Sequence, residues 1–250
     1  KDYNSFVVTP NGVFLTLFGI ELEYATKSLG LGVLQTKDLV GSFAQLKRDS
    51  TLKAINGFEI VSAPADKRMH RTIWQEFFNK IEYNDNLYCA DYIPPENPDV
   101  PGAKGTGCGL HIHISKDAMM NQNSYGKFNV GPGLAIGKLI SFIHHKNNRK
   151  FVEIMAGRKS NMFMNFVQKR GIQTNKDGKI TKIVNVTHLP GDFNGHRTAI
   201  NFHSSNNQTI EFRIFRSTKN YFELMKNIDF VDAICAFCRT GNSSLQQMSD

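Results

Sequence analysis

Three short stretches each set two ionisable residues one position apart between apolar neighbours: Glu21-Leu-Glu23, His111-Ile-His113 and Glu211-Phe-Arg213. The third lies in Thr209-Ile-Glu-Phe-Arg-Ile-Phe-Arg216, where Ile210, Phe212 and Ile214 alternate with Thr209, Glu211 and Arg213. Alternation with period two, in β-branched and aromatic residues, is the mark of a strand with an apolar back and a charged front. A fourth stretch, Gly57-Phe-Glu-Ile-Val-Ser62, sets Glu59 and Val61 on one face and Phe58, Ile60 and Ser62 on the other. Imidazole is the commonest metal ligand among side chains. Carboxylates gathered on one face repel unless a cation or a basic group compensates them. For Glu-x-Glu or Glu-x-Arg alone, the solvated front of an edge strand is the simpler reading, and His-x-His is less often decorative. Together they suggest one site holding a divalent metal and bound phosphate.

The elements that must position these residues follow from patterning. A first strand pair is expected within residues 12–24, and Thr36 can cap a short helix over 37–46. Residues 67–83 form an amphipathic helix whose core stripe is Met69, Ile73, Trp74, Phe77, Phe78 and Ile81. Pro94, Pro95, Pro98 and Pro101 make 91–107 a long irregular loop leading into the His-x-His strand, either a lid or a packed surface loop. Helices are expected over 134–145 and 151–156, with His144 and His145 at a helix C-terminus, where imidazolium is favoured. A hairpin over 171–186 turns at 175–178. A further strand over 195–204 alternates Arg197, Ala199, Asn201 and His203 against Thr198, Ile200 and Phe202, and Asn206-Asn207 turns it into the 209–216 strand. A last helix spans 221–239 and stops near Gly241. We expect one domain over 1–241 and a loose tail over 242–250.

At 250 residues, with 40% hydrophobic and 21% charged content, the chain suits a globular domain with a sizeable core. Its net charge of +8 favours an anionic partner: nucleotide phosphates, an acidic substrate or nucleic acid. No apolar run approaches the roughly 18 residues needed to span a bilayer, and no signal-peptide pattern is present. The chain opens on Lys1 rather than Met, as a trimmed or partial chain would. Four cysteines are too few for a disulfide scaffold, and Cys235-Ala-Phe-Cys238 falls in an apolar helical pattern, where core packing is the simpler reading. A reducing cytoplasm is the expected compartment.

Gly19-Ile-Glu-Leu-Glu23, Asp49-Ser followed by Gly57-Phe-Glu-Ile-Val-Ser62, Gly107-Cys-Gly-Leu-His-Ile-His-Ile-Ser115, Arg197 with Asn201, and Thr209-Ile-Glu-Phe-Arg213 occur in this order. The series resembles the amidoligase family of the glutamine synthetase-like carboxylate–amine ligases, and it runs from about Gly19 to Thr218. The resemblance implies an α+β fold: a curved antiparallel sheet with a polar concave active-site face and helices packed on its back. It implies ATP and two or more Mg²⁺ or Mn²⁺ ions, and an amide or isopeptide bond formed through an acyl phosphate. Glu21, Glu23, Glu59, His111 and Glu211 would then be metal ligands. Arg213, Arg197 and His111 would face the nucleotide phosphates, and Asp49, Arg197 and Arg213 would be catalytic, Asp49 as a general base. His113, Arg158, Asn201 and His203 would bind substrate: a small-molecule amine and a carboxylate, or a peptide or protein carboxylate. The chain departs from the family in reading Asp49-Ser-Thr-Leu52 where Asp-Gly-Ser-Leu is frequent.

Two rival readings remain open. Gly105 followed by His111-x-His113, with Asp117 in place of a Glu, fits the start of a cupin metal motif, although no second motif follows. That reading requires a transition metal and no nucleotide. The other is a non-catalytic nucleic-acid-binding or assembly protein, which the net charge permits. Aromatics interleaved with Lys or Arg on a strand face are not evident.

Overall fold

The computed structural model describes residues 6–8, 14–27, 29–91, 107–115, 119, 132–145, 147–159, 172–174, 180–183, 198–201 and 209–239. In chain order the elements are β1 (Phe6–Val8), β2 (Phe14–Thr16), β3 (Phe18–Thr26), α1 (Leu29–Val40), β4 (Ala44–Lys47), a 3-10 turn (Ser50–Ile55), β5 (Phe58–Ser62), α2 (Lys67–Ile81), β6 (Leu87–Tyr88) and β7 (Gly109–Ser115). They continue with α3 (Pro132–His144), α4 (Arg149–Ala156), β8 (Ile172–Thr174), β9 (Ile180–Ile183), β10 (Ile200–Asn201), β11 (Thr209–Arg216) and α5 (Tyr221–Arg239).

The main sheet runs β10-β11-β7-β3-β5-β4, with β6 added beside the far end of β3, and every pairing in it is antiparallel. β1 with β2, and β8 with β9, form separate two-stranded ribbons. This is the expected combination of an antiparallel sheet with helices. Alternation explains the central strands. Phe18, Ile20, Leu22 and Tyr24 of β3, Phe58 and Ile60 of β5, Leu110, Ile112 and Ile114 of β7, and Ile210 and Phe212 of β11 are all buried. They join Trp74, Phe77 and Phe78 of α2, Leu139 and Ile143 of α3, and Ile228 and Val231 of α5 in one hydrophobic core. The apolar face of the sheet is therefore covered by helices, and the ionisable residues take the other face.

Three local expectations are corrected. The helix placed over 37–46 is in fact α1, Leu29–Val40, followed by the edge strand β4. Thr36 is buried inside that helix rather than capping it. Gly30 and Gly32 argue against helix on propensity, and pairing of Ala44–Lys47 with Ser62–Glu59 overrides the local pattern that suggested helix there. In α2 the stripe holds at Trp74, Phe77, Phe78 and Ile81 but differs at its start, where Met69 is half exposed and His70 is buried. His144 does end α3, but burial pushes its imidazole down to about 4, so at neutral pH it carries no charge to favour the helix terminus. The cysteine pair matches its core reading: Cys235 and Cys238 are free and buried in α5, and burial lifts the Cys238 thiol to about 12. The hairpin of β8 and β9 forms, while its turn residues, like the proline-rich loop over 92–106, lie outside the described residues. Among the described residues no helix is long and apolar enough to cross a membrane.

His70 is the polar link between α2 and the sheet. Its Nε2–H donates to the carbonyl of Phe18 at 2.8 Å, and its Nδ1 accepts from the Trp74 indole N–H at 3.0 Å. That pairing fixes the neutral tautomer, and burial lowers the pKa of the ring against the pull of the Phe18 carbonyl. Replacing His70 by Gln should destabilise the fold by about 2 kcal/mol, the cost of stranding a buried indole N–H. The unfolded chain protonates this histidine below about pH 6.5 while the folded one resists it, so wild-type stability falls with acid on this account. The deficit of His70→Gln, measured by denaturant unfolding, should therefore shrink between pH 7 and pH 5.

Candidate active site

Strand register brings the ionisable residues together. Glu21 of β3 pairs with His111 of β7, and Gly19 with His113. Glu23 of β3 faces Glu59 of β5. Glu211 of β11 pairs with His113 on one side and Asn201 of β10 on the other. Directly paired residues share a face, so these five strands set one polar front opposite the apolar core. β11 then departs from regularity. Phe212 pairs with Ile112, but Phe215 pairs with Leu110, so β11 has one extra residue against β7. This bulge pairs Phe215 with Leu110 and so returns it to the core.

His111 stands among three carboxylates. Its Nδ1 lies 3.2 Å from Glu21 Oε2 and 3.4 Å from Glu211 Oε1, and its Nε2 lies 3.8 Å from Glu23 Oε1. His113 Nε2 is 3.3 Å from Glu21 Oε1, and its Nδ1 is 3.4 Å from the Thr209 hydroxyl. Glu211 is held on both oxygens: Arg213 Nη1 donates to Oε1, and Asn201 Nδ2 donates to Oε2 at 2.8 Å. Glu23 Oε2 accepts the Gly109 backbone N–H at 2.5 Å. Asp49 opens the 3-10 turn, where its Oδ1 accepts the Thr51 N–H at 2.7 Å.

Arg158 arrives from the end of α4. Gly157 closes that helix at φ +69°, a left-handed turn that disfavours other residues, and Arg158 Nη1 then donates to the Phe215 carbonyl at 3.1 Å. A Cβ on Gly109 would lie 3.1 Å from Arg158 Nη1 and 3.3 Å from both Glu23 Oε2 and His111 Nε2, so a side chain there would crowd all three groups.

Two groups of ligand atoms result. Glu21, His113 and Glu211 each offer one atom within 4.8 Å of the others, and so do Glu23, Asp49 and Glu59. Their electrostatics differ. Burial would raise the Glu21 carboxyl, but the hydrogen bonds and charges of His111 and His113 outweigh it and hold it far below the usual range. Glu211 is likewise lowered, because His111, Arg213 and His113 outweigh its burial. His113 is raised, as Glu21 more than offsets the cost of burying the charged ring. In the second group, burial raises Glu23 against the pull of His111 and the Gly109 N–H. Burial, then the charges of Glu21, Glu23 and Asp49, lift Glu59 to about 8. Burial also brings the Arg158 guanidinium down to about 10.

The structure thus brings together Glu21, Glu23, Asp49, Glu59, His111, His113, Asn201, Glu211 and Arg213, with Arg158 at the Gly109 end. Arg197 and His203 lie outside the described residues, as does Asp117 of the cupin reading. The sequence reading did not assign Gly109. Its only signal is its position two residues before His111, which says nothing of the groups that would crowd a side chain there.

No family model matches the chain, and no curated protein matches it in sequence. Solved structures with a similar fold include GmaS without ligand, at 12% identity and a TM-score of 0.45, and a complex of GmaS with ADP, at 12% identity and 0.42. Each comparison covers 92% of this chain and 56% of the other, so the chain spans little more than half the length of those structures. A likeness of that size does not bear on activity.

Glu59 supplies a test of this electrostatic arrangement. Its pKa is raised from 4.5 to about 8 on folding, so the folded protein keeps a proton that the unfolded chain releases. The cost to stability is absent below about pH 4.5, grows through the window and is complete above about pH 8. Glu59→Gln, which mimics the protonated acid, should therefore gain stability over wild type more at pH 9 than at pH 5. Chelator-treated proteins compared by denaturant unfolding at pH 5, 7 and 9 measure it. An equal difference at all three would show that Glu59 does not carry this burden.

Proposed function

We propose that this chain is the catalytic part of an ATP-dependent carboxylate–amine ligase, forming an amide or isopeptide bond through an acyl phosphate. The observation that carries the reading is the single sheet face on which two groups of ligand atoms adjoin Arg213. The donor chemistry suits divalent cations. Glu23, Asp49 and Glu59 are all oxygen donors, as Mg²⁺ or Mn²⁺ prefers, and burial, then the charges of Glu21, Glu23 and Asp49, raise the Glu59 carboxyl. Glu21, His113 and Glu211 include an imidazole, which Mg²⁺ rarely uses and Mn²⁺ accepts. Bound there, the ions would neutralise nucleotide phosphates and polarise the transferred phosphoryl group.

The residues have separable tasks in this reading. Arg213, with Arg197, balances charge that develops on the phosphoryl group as it moves to the carboxylate. Asn201 holds Glu211 by one oxygen and so orients it as a ligand, a more specific task than substrate contact. His111, between the two groups, fixes Glu21 relative to Glu211. Asp49 keeps one oxygen on its own turn and presents the carboxylate toward Glu23 and Glu59. There it serves as a ligand, or as the base that takes a proton from the attacking amine. His113, Arg158 and His203 remain substrate contacts in this proposal. An ATPase screen with Mg²⁺ or Mn²⁺ across pooled amines and carboxylates, with products read by mass, tests the reaction class. ATP consumed with a new amide supports it, and transition-metal binding without nucleotide would favour the cupin alternative.

Three variants test the parts. Glu21→Ala and Glu23→Ala should each weaken Mn²⁺ binding at least tenfold by calorimetry, since each removes one donor of a three-donor group. Unchanged affinity in both would remove the metal assignment. Arg213→Lys keeps the charge but loses the planar fork, and should lower ATP turnover about a hundredfold at saturating metal. Equal rates would mean that Arg213 serves only as the partner of Glu211.

A further inference from the structure

We propose that Cys89 and Cys108 are a redox pair: a peroxide joins them in a disulfide, and that bond disturbs the groups that hold Glu23. The effect on metal binding, unlike the bond, depends on the ligand reading of Glu23. Both cysteines come to one place on β3. Thr26 pairs with Leu87 and Ala25 with Tyr88, so the next step along β6 sets Cys89 beside Tyr24. Leu22 pairs with Leu110, so stepping back through Gly109 sets Cys108 beside Tyr24 as well. The Cys108 N–H donates to the Ala90 carbonyl at 2.9 Å, which closes the neck between the two segments. By alternation both side chains fall on the core side, with Leu87, Leu110 and Tyr24. Cys108 is buried there and Cys89 half-buried, and both are free thiols. Charge on Cys89 acts on Cys108, and charge on either acts on the Tyr24 hydroxyl.

Each cysteine adjoins a support of Glu23. Gly109, the residue after Cys108, donates its N–H to Glu23 Oε2 at 2.5 Å. The Ser217 hydroxyl donates to the Glu23 carbonyl and is hydrogen-bonded to the Cys89 thiol, and the Ser217 N–H donates to the Cys108 carbonyl at 3.4 Å. A disulfide removes the Cys89 thiol hydrogen and draws Cys108 toward Cys89, so both supports shift. The oxidant is hydrogen peroxide. Burial lifts both thiols, Cys108 further, which leaves Cys89 at about 11 and the readier to ionise. Peroxide transfers one oxygen to the Cys89 sulfur, giving a sulfenic acid and one water. The Cys108 sulfur then attacks the Cys89 sulfur, and its proton leaves with the departing hydroxide as a second water. The pair loses two hydrogens and two electrons, which the peroxide takes up.

The test treats the full chain with hydrogen peroxide in the absence of metal and maps its peptides under non-reducing conditions. A Cys89–Cys108 cross-link that dithiothreitol resolves is expected. The Gly109 amide chemical shift should move on oxidation and return on reduction. Mn²⁺ affinity, by calorimetry, should fall about tenfold, the scale of a lost outer-shell contact to a ligand. Cys89→Ser, which keeps a donor for Ser217, should bind Mn²⁺ as reduced wild type does, before and after peroxide. Cys108→Ala should likewise show no change of affinity on peroxide treatment, which separates the cross-link from oxidation elsewhere. The proposal is overturned if peroxide yields no such cross-link in wild type. It is equally overturned if the cross-link forms and either the Gly109 amide or an existing Mn²⁺ affinity is unchanged. Failure of the metal reading looks different: reduced wild type binds no Mn²⁺, while the cross-link and the Gly109 shift still appear.

Discussion

The register of β3 against β7 is the constraint from which the rest of the site follows. Glu21 opposite His111, with Leu22 opposite Leu110 and Ile20 opposite Ile112, sets acids and imidazoles on one side and core residues on the other. A slip of one residue would turn Leu22 and Ile20 to the polar front and bury Glu21 and Glu23 in the core. The burial of Phe18, Ile20, Leu22 and Tyr24 therefore specifies the site as firmly as any contact within it. The segment that follows β11 is tied back to β3: the Ser217 hydroxyl donates to the Glu23 carbonyl, and the Tyr24 hydroxyl donates to the Thr218 carbonyl at 2.7 Å.

The polar face divides its charge unevenly. Glu21 and Glu211 are compensated by His111, His113 and Arg213, so they remain anionic within the protein. Glu23 and Glu59 face each other across β3 and β5, where directly opposed like charges are unfavourable. Among the described residues they are offset by the charge of His111 and, for Glu23, by the backbone N–H of Gly109.

The positive groups reach the face by irregular backbone. Arg213 lies within the β11 bulge and Arg216 just beyond it, and Arg158 follows the left-handed Gly157 at the end of α4. Regular strands alternate strictly and cannot crowd several arginines beside acids that already occupy the same side. A bulge and a glycine turn break that alternation.

The strand pairs Glu21/Glu23, His111/His113 and Glu211/Arg213, and the α2 pattern of Trp74, Phe77, Phe78 and Ile81, were legible in the sequence because periodicity is a local property of the chain. Helix α1 and strand β4 were not, since Gly30 and Gly32 argue against helix and β4 exists through its partner β5. Nor could periodicity show that Asp49 joins Glu23 and Glu59, that Asn201 is engaged by Glu211, or that Arg216 pairs with Gly109. The sequence by itself determined which residues share a face of their own strand. Which strands adjoin, where the register shifts and how each carboxyl is charged were decided by the tertiary structure, because pairing, bulging and desolvation depend on neighbours remote in the chain.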